Sequence, residues 1–301
     1  MRILFGTDGS AAADRALSLV ATTPWPEGTR LDACGVVFDF EALFAEDWAP
    51  SIPPNADRLE ERLVDEMNGV LDRAVERLRA AGIAADARLL RGRPASRLVE
   101  EATTLGVDLV IVGSRGLGPF RSMLLGSVSA EVVDRAPCPV LVARGEAIGS
   151  TLLAEDGSEG ARRAADLLTS MPFVAGERTH VVSVASVPSL ITFGLAPLPP
   201  EAIDLYAESL STVRADSAAT AQRTVDRLRA AGVEATPMVL EGDPAMRLVE
   251  AAADRGVGLV VMGSRGRTGI ARLVLGSVAR NVLQHAHCSV LIVHGQGAAE
   301  P

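Results

Sequence analysis

The chain contains no lysine: all 29 of its basic residues are arginine. That absence removes the phosphate-binding lysine of P-loop enzymes, Schiff-base chemistry and lysine general bases. With 38 acidic residues the net charge is −9, and an acidic chain without a basic stripe argues against nucleic acid as a partner. Cysteine is scarce. Cys34, Cys138 and Cys288 stand at unrelated spacing with no C-x-x-C pair, which reads as small buried hydrophobes in a reducing compartment. No apolar run approaches the ~20 residues that span a bilayer. The start, Met1 to Gly6, enters a strand without signal-peptide architecture. A cytoplasmic protein with no membrane partner is expected. The four histidines, His180, His285, His287 and His294, all lie in the second half, so they serve no duplicated mechanism. His285 and His287 lack a nearby third metal ligand. No serine has an evident histidine–carboxylate pair, so a nucleophilic triad is unsupported.

What is present is a duplication. At 301 residues and 48% hydrophobic composition the chain suffices for two ordinary globular domains. Arg77-Leu-Arg-Ala-Ala-Gly82 returns as Arg227-Leu-Arg-Ala-Ala-Gly232, and Arg97-Leu-Val-Glu100 as Arg247-Leu-Val-Glu250. A repeat this long is a copied domain, since solenoid units run ~20–50 residues. The polar stretch 144–150 marks the junction, giving domains 1–146 and 147–301.

Each half alternates strand and helix signals. In the first, Ile3–Thr7 reads as a strand, Asp8-Gly-Ser10 as a turn with Ser10 capping a helix over 11–21, and Leu31–Phe38 as a second strand. Residues 39–57, rich in proline, read as a long loop. A helix follows from about Leu59 to Ala81, closed by Gly82. Ala85–Leu90 is a third strand, Pro94 opens a helix, and Val107–Val112, apolar apart from Asp108, is a fourth strand. A helix ending before Pro137 leads to a fifth strand, Val140–Ala143. The predicted fold class is α/β: two tandem, doubly wound, Rossmann-like domains, each with a five-stranded parallel sheet. Such sheets bind ligands beyond the carboxyl ends of their strands, at the switch point. Asp8 and Gly113 both fall there.

The chemistry-bearing pattern also occurs twice. Gly113-Ser-Arg-Gly116, nine residues, then Gly126-Ser127-Val128 is matched by Gly263-Ser-Arg-Gly266, nine residues, then Gly276-Ser277-Val278. Glycines allow close backbone approach, and a helix start offers unpaired N–H groups and partial positive charge to phosphate. One copy reads as ordinary turn glycines with a serine cap. Two copies of equal spacing, each with an Asp-Gly-Ser turn, favour phosphate binding, with Asp8 and Asp156 accepting from adenine or ribose. The spacing is not the G-x-G-x-x-G of dinucleotide enzymes and follows the fourth strand. Arg115, Arg121, Arg265, Arg267 and Arg272 lie in these loops but read individually as solvated.

At these residues the chain resembles a tandem universal stress protein over nearly its whole length. The family's ATP-binding branch carries G-x2-G-x9-G-[S/T], which both halves satisfy. The resemblance implies an adenine-nucleotide site in each half. In the first it is lined by Thr7, Asp8, Val36, Val112, Gly113, Arg115, Gly116, Gly126, Ser127, Val128 and Ser129. In the second the lining is Asp156, Val184, Met262, Gly263, Arg265, Gly266, Gly276, Ser277 and Val278, with Ala279 in place of Ser129. Val36 and Val184, which would touch adenine, each follow their aspartate by 28 positions. Glu155 replaces Thr7 and adds negative charge, so weaker phosphate binding is expected in the second half.

The resemblance implies a nucleotide-dependent stress or dormancy regulator that holds ATP, with Mg2+ bridging phosphates as an option, and hydrolyses it slowly at most. The alternative is an adenylating or ATP-pyrophosphatase enzyme of the adenine-nucleotide alpha hydrolase group. That group tends to carry S-G-G-x-D-S after strand one or histidine and lysine signatures, which are missing here. A scaffold with vestigial pockets is the third reading. In the family, fifth strands pair antiparallel at sheet edges, which implies pairing of the two halves and leaves a homodimer open. The signalling partner is not legible.

Overall fold

The computed structural model describes residues 1–38, 56–116, 125–171, 178–186, 200–266 and 275–294. The expected loop at 39–57 and the arginines Arg121, Arg267 and Arg272 lie wholly or largely outside them. The chain divides into two compact units, Met1–Ile148 joined by the strand that begins at Ser289, and Gly149–Cys288.

In the first unit β1 (Arg2–Gly6) is central, and its Ile3, Leu4 and Phe5 are fully buried, as a strand covered on both faces requires. Helix α1 (Ala11–Thr22) starts at Ser10, whose hydroxyl accepts from Ala13 N–H at 3.3 Å. Strand β2 (Arg30–Val37) is followed by the amphipathic α2 (Ala56–Ala80). Gly82, at φ +80°, reverses the chain so that Ile83 N–H reaches Leu78 O. Then come β3 (Ala84–Arg91), α3 (Pro94–Leu105) with proline in its first turn, and β4 (Leu109–Gly113), buried throughout. Helix α4 (Ser127–Arg135) and β5 (Val140–Ala143) complete the set.

The strands lie in the order β3-β2-β1-β4-β5, all parallel. The chain moves outward from β1 in one direction and then in the other, so the switch point is between β1 and β4. One further strand, β10 (Ser289–Val293), pairs antiparallel with β5, Val290 opposite Val142 and Ile292 opposite Val140. The last strand of the second repeat thus belongs to the first compact unit.

The second unit repeats the plan with β6 (Thr151–Ala154), α5 (Glu159–Ser170), β7 (Thr179–Ala185), α6 (Pro200–Ala230), β8 (Ala235–Glu241), α7 (Pro244–Asp254), β9 (Leu259–Gly263) and α8 (Ser277–His285). Its order is β9-β6-β7-β8, again parallel. The parallel α/β alternation predicted from the sequence is what forms.

Candidate functional site

At the first switch point β1 and β4 run side by side, with Gly6 opposite Val112, and Gly6 is also opposite Cys34 on β2. Three strand ends therefore deliver the turn at Thr7–Ser10, Val36 and the Gly113 loop to one end of the sheet. Two short bonds organise the turn. The Ser10 N–H donates to Asp8 Oδ1 at 3.0 Å, and the Gly9 N–H to Thr7 Oγ1 at 3.3 Å. The Ser10 hydroxyl reaches the Arg115 carbonyl at 3.4 Å, joining the turn to the loop after β4. The second unit repeats this: Ser158 N–H to Asp156 Oδ1 at 2.9 Å, and the Ser158 hydroxyl to Arg265 O at 3.5 Å.

The motif glycines have separate physical causes. A methyl group on Gly116 would lie 2.5 Å from Asp8 Oδ2, and one on Gly266 2.8 Å from Asp156 Oδ2. The second glycine therefore leaves room for the turn's carboxylate. The first glycine serves helix packing. A methyl group on Gly113 would lie 2.9 Å from the carbonyl carbon of Ala12, and one on Gly263 2.5 Å from that of Gly160, both in the first turn of a helix. The third, Gly126, gives its own N–H to Ser114 O at 2.7 Å, as Gly276 does to Ser264 O at 2.8 Å. Those two amides tie the loop ends together instead of facing outward.

The helix starts beyond them are different. Gly126 and Gly276 hold the N-cap positions of α4 and α8 without a side-chain acceptor, whereas Ser10, Ser158 and Asp243 cap α1, α5 and α7 with theirs. Ser127 and Ser277 are exposed on the first turn, and Val128 is 36% exposed. Each helix start is thus a surface with orphan N–H groups and a positive dipole end, which suits an anion.

Other residues expected at the site have internal duties. Ser129 is buried and its hydroxyl donates to Gly113 O at 2.7 Å, bracing α4 against β4; the buried Ala279 offers no such bond. Val112 and Met262 are core residues of β4 and β9, and Val36 and Val184 are half-buried on β2 and β7. Arg115 and Arg265 are half-buried, Gly116 and Gly266 exposed.

Sequence reasoning missed the pairing beneath the second turn. Glu155 is buried, accepts from Gly157 N–H at 2.7 Å and receives the Thr224 hydroxyl at 2.8 Å. The first repeat has Thr7 and Ala74 at these places. The joint exchange of both partners was the available signal. The thiols of Cys34 and Cys138 are pushed up to about 12, chiefly by burial, and are inert; Cys288 is only half-buried. No helix among the described residues is long and apolar enough to cross a membrane.

Known proteins agree with this architecture. The profile of the universal stress protein family matches residues 1–144 and again 150–294. A universal stress protein of Mycobacterium tuberculosis is 28% identical over 305 residues, covering 96% of each chain. One from Thermus aquaticus is 38% identical over 149 residues, 47% of this chain and 97% of that one. Among solved structures, a universal stress protein from Archaeoglobus fulgidus superposes with a TM-score of 0.67 at 20% identity, covering 98% of both chains, a likeness of fold. With two family matches that together span nearly every residue, the chain belongs to the universal stress protein family.

Proposed function

We propose that this chain is an ATP-binding stress regulator with one adenine-nucleotide site in each repeat. The observation that carries the reading is the pair of glycine-started, uncapped helices at α4 and α8, each facing an Asp-Gly-Ser turn at a sheet's switch point. The first-turn amides of α4, with Ser127, would hold the phosphates, and the second glycine keeps room for the Asp8 carboxylate at the nucleoside end. Val36 and Asp8 would meet the nucleoside. Ser277, Gly266, Asp156 and Val184 take these roles in the second repeat.

Mg2+ would be held mainly by the phosphates, since such an ion needs few protein ligands. Phosphoryl transfer also requires a group to orient the nucleophile, and the motifs offer neither lysine nor an evident base, so hydrolysis is slow and the protein is no dedicated enzyme. It acts in the cytoplasm, as a monomer or a homodimer, through a protein partner that reads nucleotide occupancy.

Equilibrium dialysis of the full chain with ATP and Mg2+ tests this. Two equivalents are expected. Gly116→Val and Gly266→Val should each remove one, because each drives a side chain into the aspartate. No retained nucleotide would leave a scaffold with vestigial sites. Pyrophosphate release with carboxylic acids or amines would move the protein to the adenylating enzymes.

A further inference from the structure

His294 follows β10 directly, and its ring lies between two backbone carbonyls. Nε2 is 2.7 Å from Val133 O, and Nδ1 is 3.0 Å from Cys138 O. A carbonyl oxygen only accepts. Neutral imidazole carries a single N–H, so one contact would set a ring lone pair against a carbonyl lone pair. The imidazolium donates at both. Val133 also lies in the last turn of α4, where carbonyls lack intrahelical partners and the dipole's negative end favours a cation.

We propose that His294 is a protonated clamp between the end of β10 and the C-terminal end of α4, and that loss of its proton is a pH-driven release of that helix. The surrounding charges come from several elements. Helix α4 ends in Asp134 and Arg135, the latter paired with Glu131 at 2.6 Å. The Cys138 thiol, pushed up to about 12, stays neutral. Strand β10 supplies only Ser289 and apolar residues, and Arg144 follows β5. Arg144 is also the counterpart of His294, 150 positions earlier, so the first repeat has a permanent cation where the second has a titratable one. The clamp does not depend on nucleotide binding. It does act on α4, whose opposite end begins at the candidate phosphate surface.

Hydrogen bonding to the charged form raises the folded pKa of a histidine. Its stabilisation is then complete below the unfolded value of ~6.5 and is lost as pH rises through the folded value. Ring NMR of the intact chain, with His294 assigned by its absence in His294→Arg, should show titration about one unit or more above ~6.5, with both ring N–H protons present below it. Hydrogen exchange of α4, corrected for intrinsic rates, should accelerate severalfold above that point in the wild type and stay flat in His294→Arg. Titration at or below the ordinary value overturns the clamp, as does identical α4 exchange in the two proteins. If His294→Arg fails to fold, the ring titration, assigned instead with His294→Gln, decides alone.

Discussion

The first repeat ties β1, β2, β3 and α3 together with an ionic network, while the second places neutral or apolar residues at the same positions. Asp32, buried on β2, accepts from Arg2 Nε at 2.8 Å and Arg88 Nε at 2.5 Å, and Arg88 also meets Glu101 at 3.0 Å. Their counterparts are His180, Ser150, Met238 and Ala251. His180 settles for Thr236 Oγ1 at 3.1 Å, and beside Met238 and Ala251 a surface cleft of about 330 Å³ opens, rimmed by Arg247, Glu250, Asp254 and Arg255. The two halves keep the same strand order around the switch point but reach it with different chemistry away from the loops.

The two units also differ in how tightly a helix meets the first motif glycine, and this gives the largest expected effect. At Gly263 an added methyl group meets the Gly160 backbone at 2.5 Å, so the helix start must shift to admit it. At Gly113 the nearest atom is at 2.9 Å. Overpacking of this kind costs about 1–3 kcal/mol. Gly263→Ala should lie at about 3 kcal/mol and Gly113→Ala at about 1 in denaturant unfolding. Both tryptophans, Trp25 and Trp48, are in the first repeat, so circular dichroism should move for either variant and fluorescence mainly for Gly113→Ala. Equal losses would show that both helices can retreat, and the comparison would fail.

These distances explain what the sequence could and could not reveal. The apolar run Ile3–Thr7, the Asp-Gly-Ser turn and the mostly apolar Val107–Val112 are local, and local patterns set the element order and the place of the candidate site at the strand ends. The causes of the glycines are not local. Gly113 answers to Ala12, and Gly116 to Asp8, contacts made only once α1 packs against β4. Likewise the family resemblance places Ser129 in the pocket lining, yet folding turns its hydroxyl to Gly113 O. The grouping of β10 with β5 came from a family resemblance, because a short apolar strand does not announce its partner.

Acid should separate the halves next. Burial pushes the Asp32 carboxyl up, but hydrogen bonds and charge from Arg88 and Arg2 outweigh it and hold it below the ordinary 3.8. That stabilisation is present above the unfolded value and is lost only as pH falls through the folded one. His180 goes the other way in charge: burial, then Arg255 and Arg178, lower it from 6.5. The unfolded chain therefore takes up that proton first, and the second repeat loses stability as pH falls below ~6.5. Peptide-resolved hydrogen exchange at pH 7, 5.5 and 4.5 should show β7 and β8 loosening while β2 and β3 hold. His180→Gln should remove that difference. Should β2 and β3 open first, the ionic network does not protect the first repeat.

The smallest effect on binding is expected at the proposed nucleotide turn. Glu155 sets a buried carboxylate under the second turn where the first has the neutral Thr7, and a polyphosphate would feel that charge. Two unit charges roughly 10 Å apart interact by about 0.4–1.7 kcal/mol between water and a typical protein surface. Salt and the two donors on Glu155 place the expectation near the lower end. Wild-type ATP titration should resolve a tighter first site and a weaker second. Glu155→Gln, which keeps the shape and can still bond Gly157 N–H and Thr224, should strengthen the second by about threefold, or ~0.6 kcal/mol. The reverse change is sharper. Thr7→Glu alone buries a carboxylate against Ala74, which has no hydroxyl, and should cost about 1–3 kcal/mol of stability. Thr7→Glu with Ala74→Thr should recover much of that stability while leaving the first site as weak as the second. If the paired variant folds well and still binds ATP like the wild-type first site, the buried charge is not what separates the two repeats.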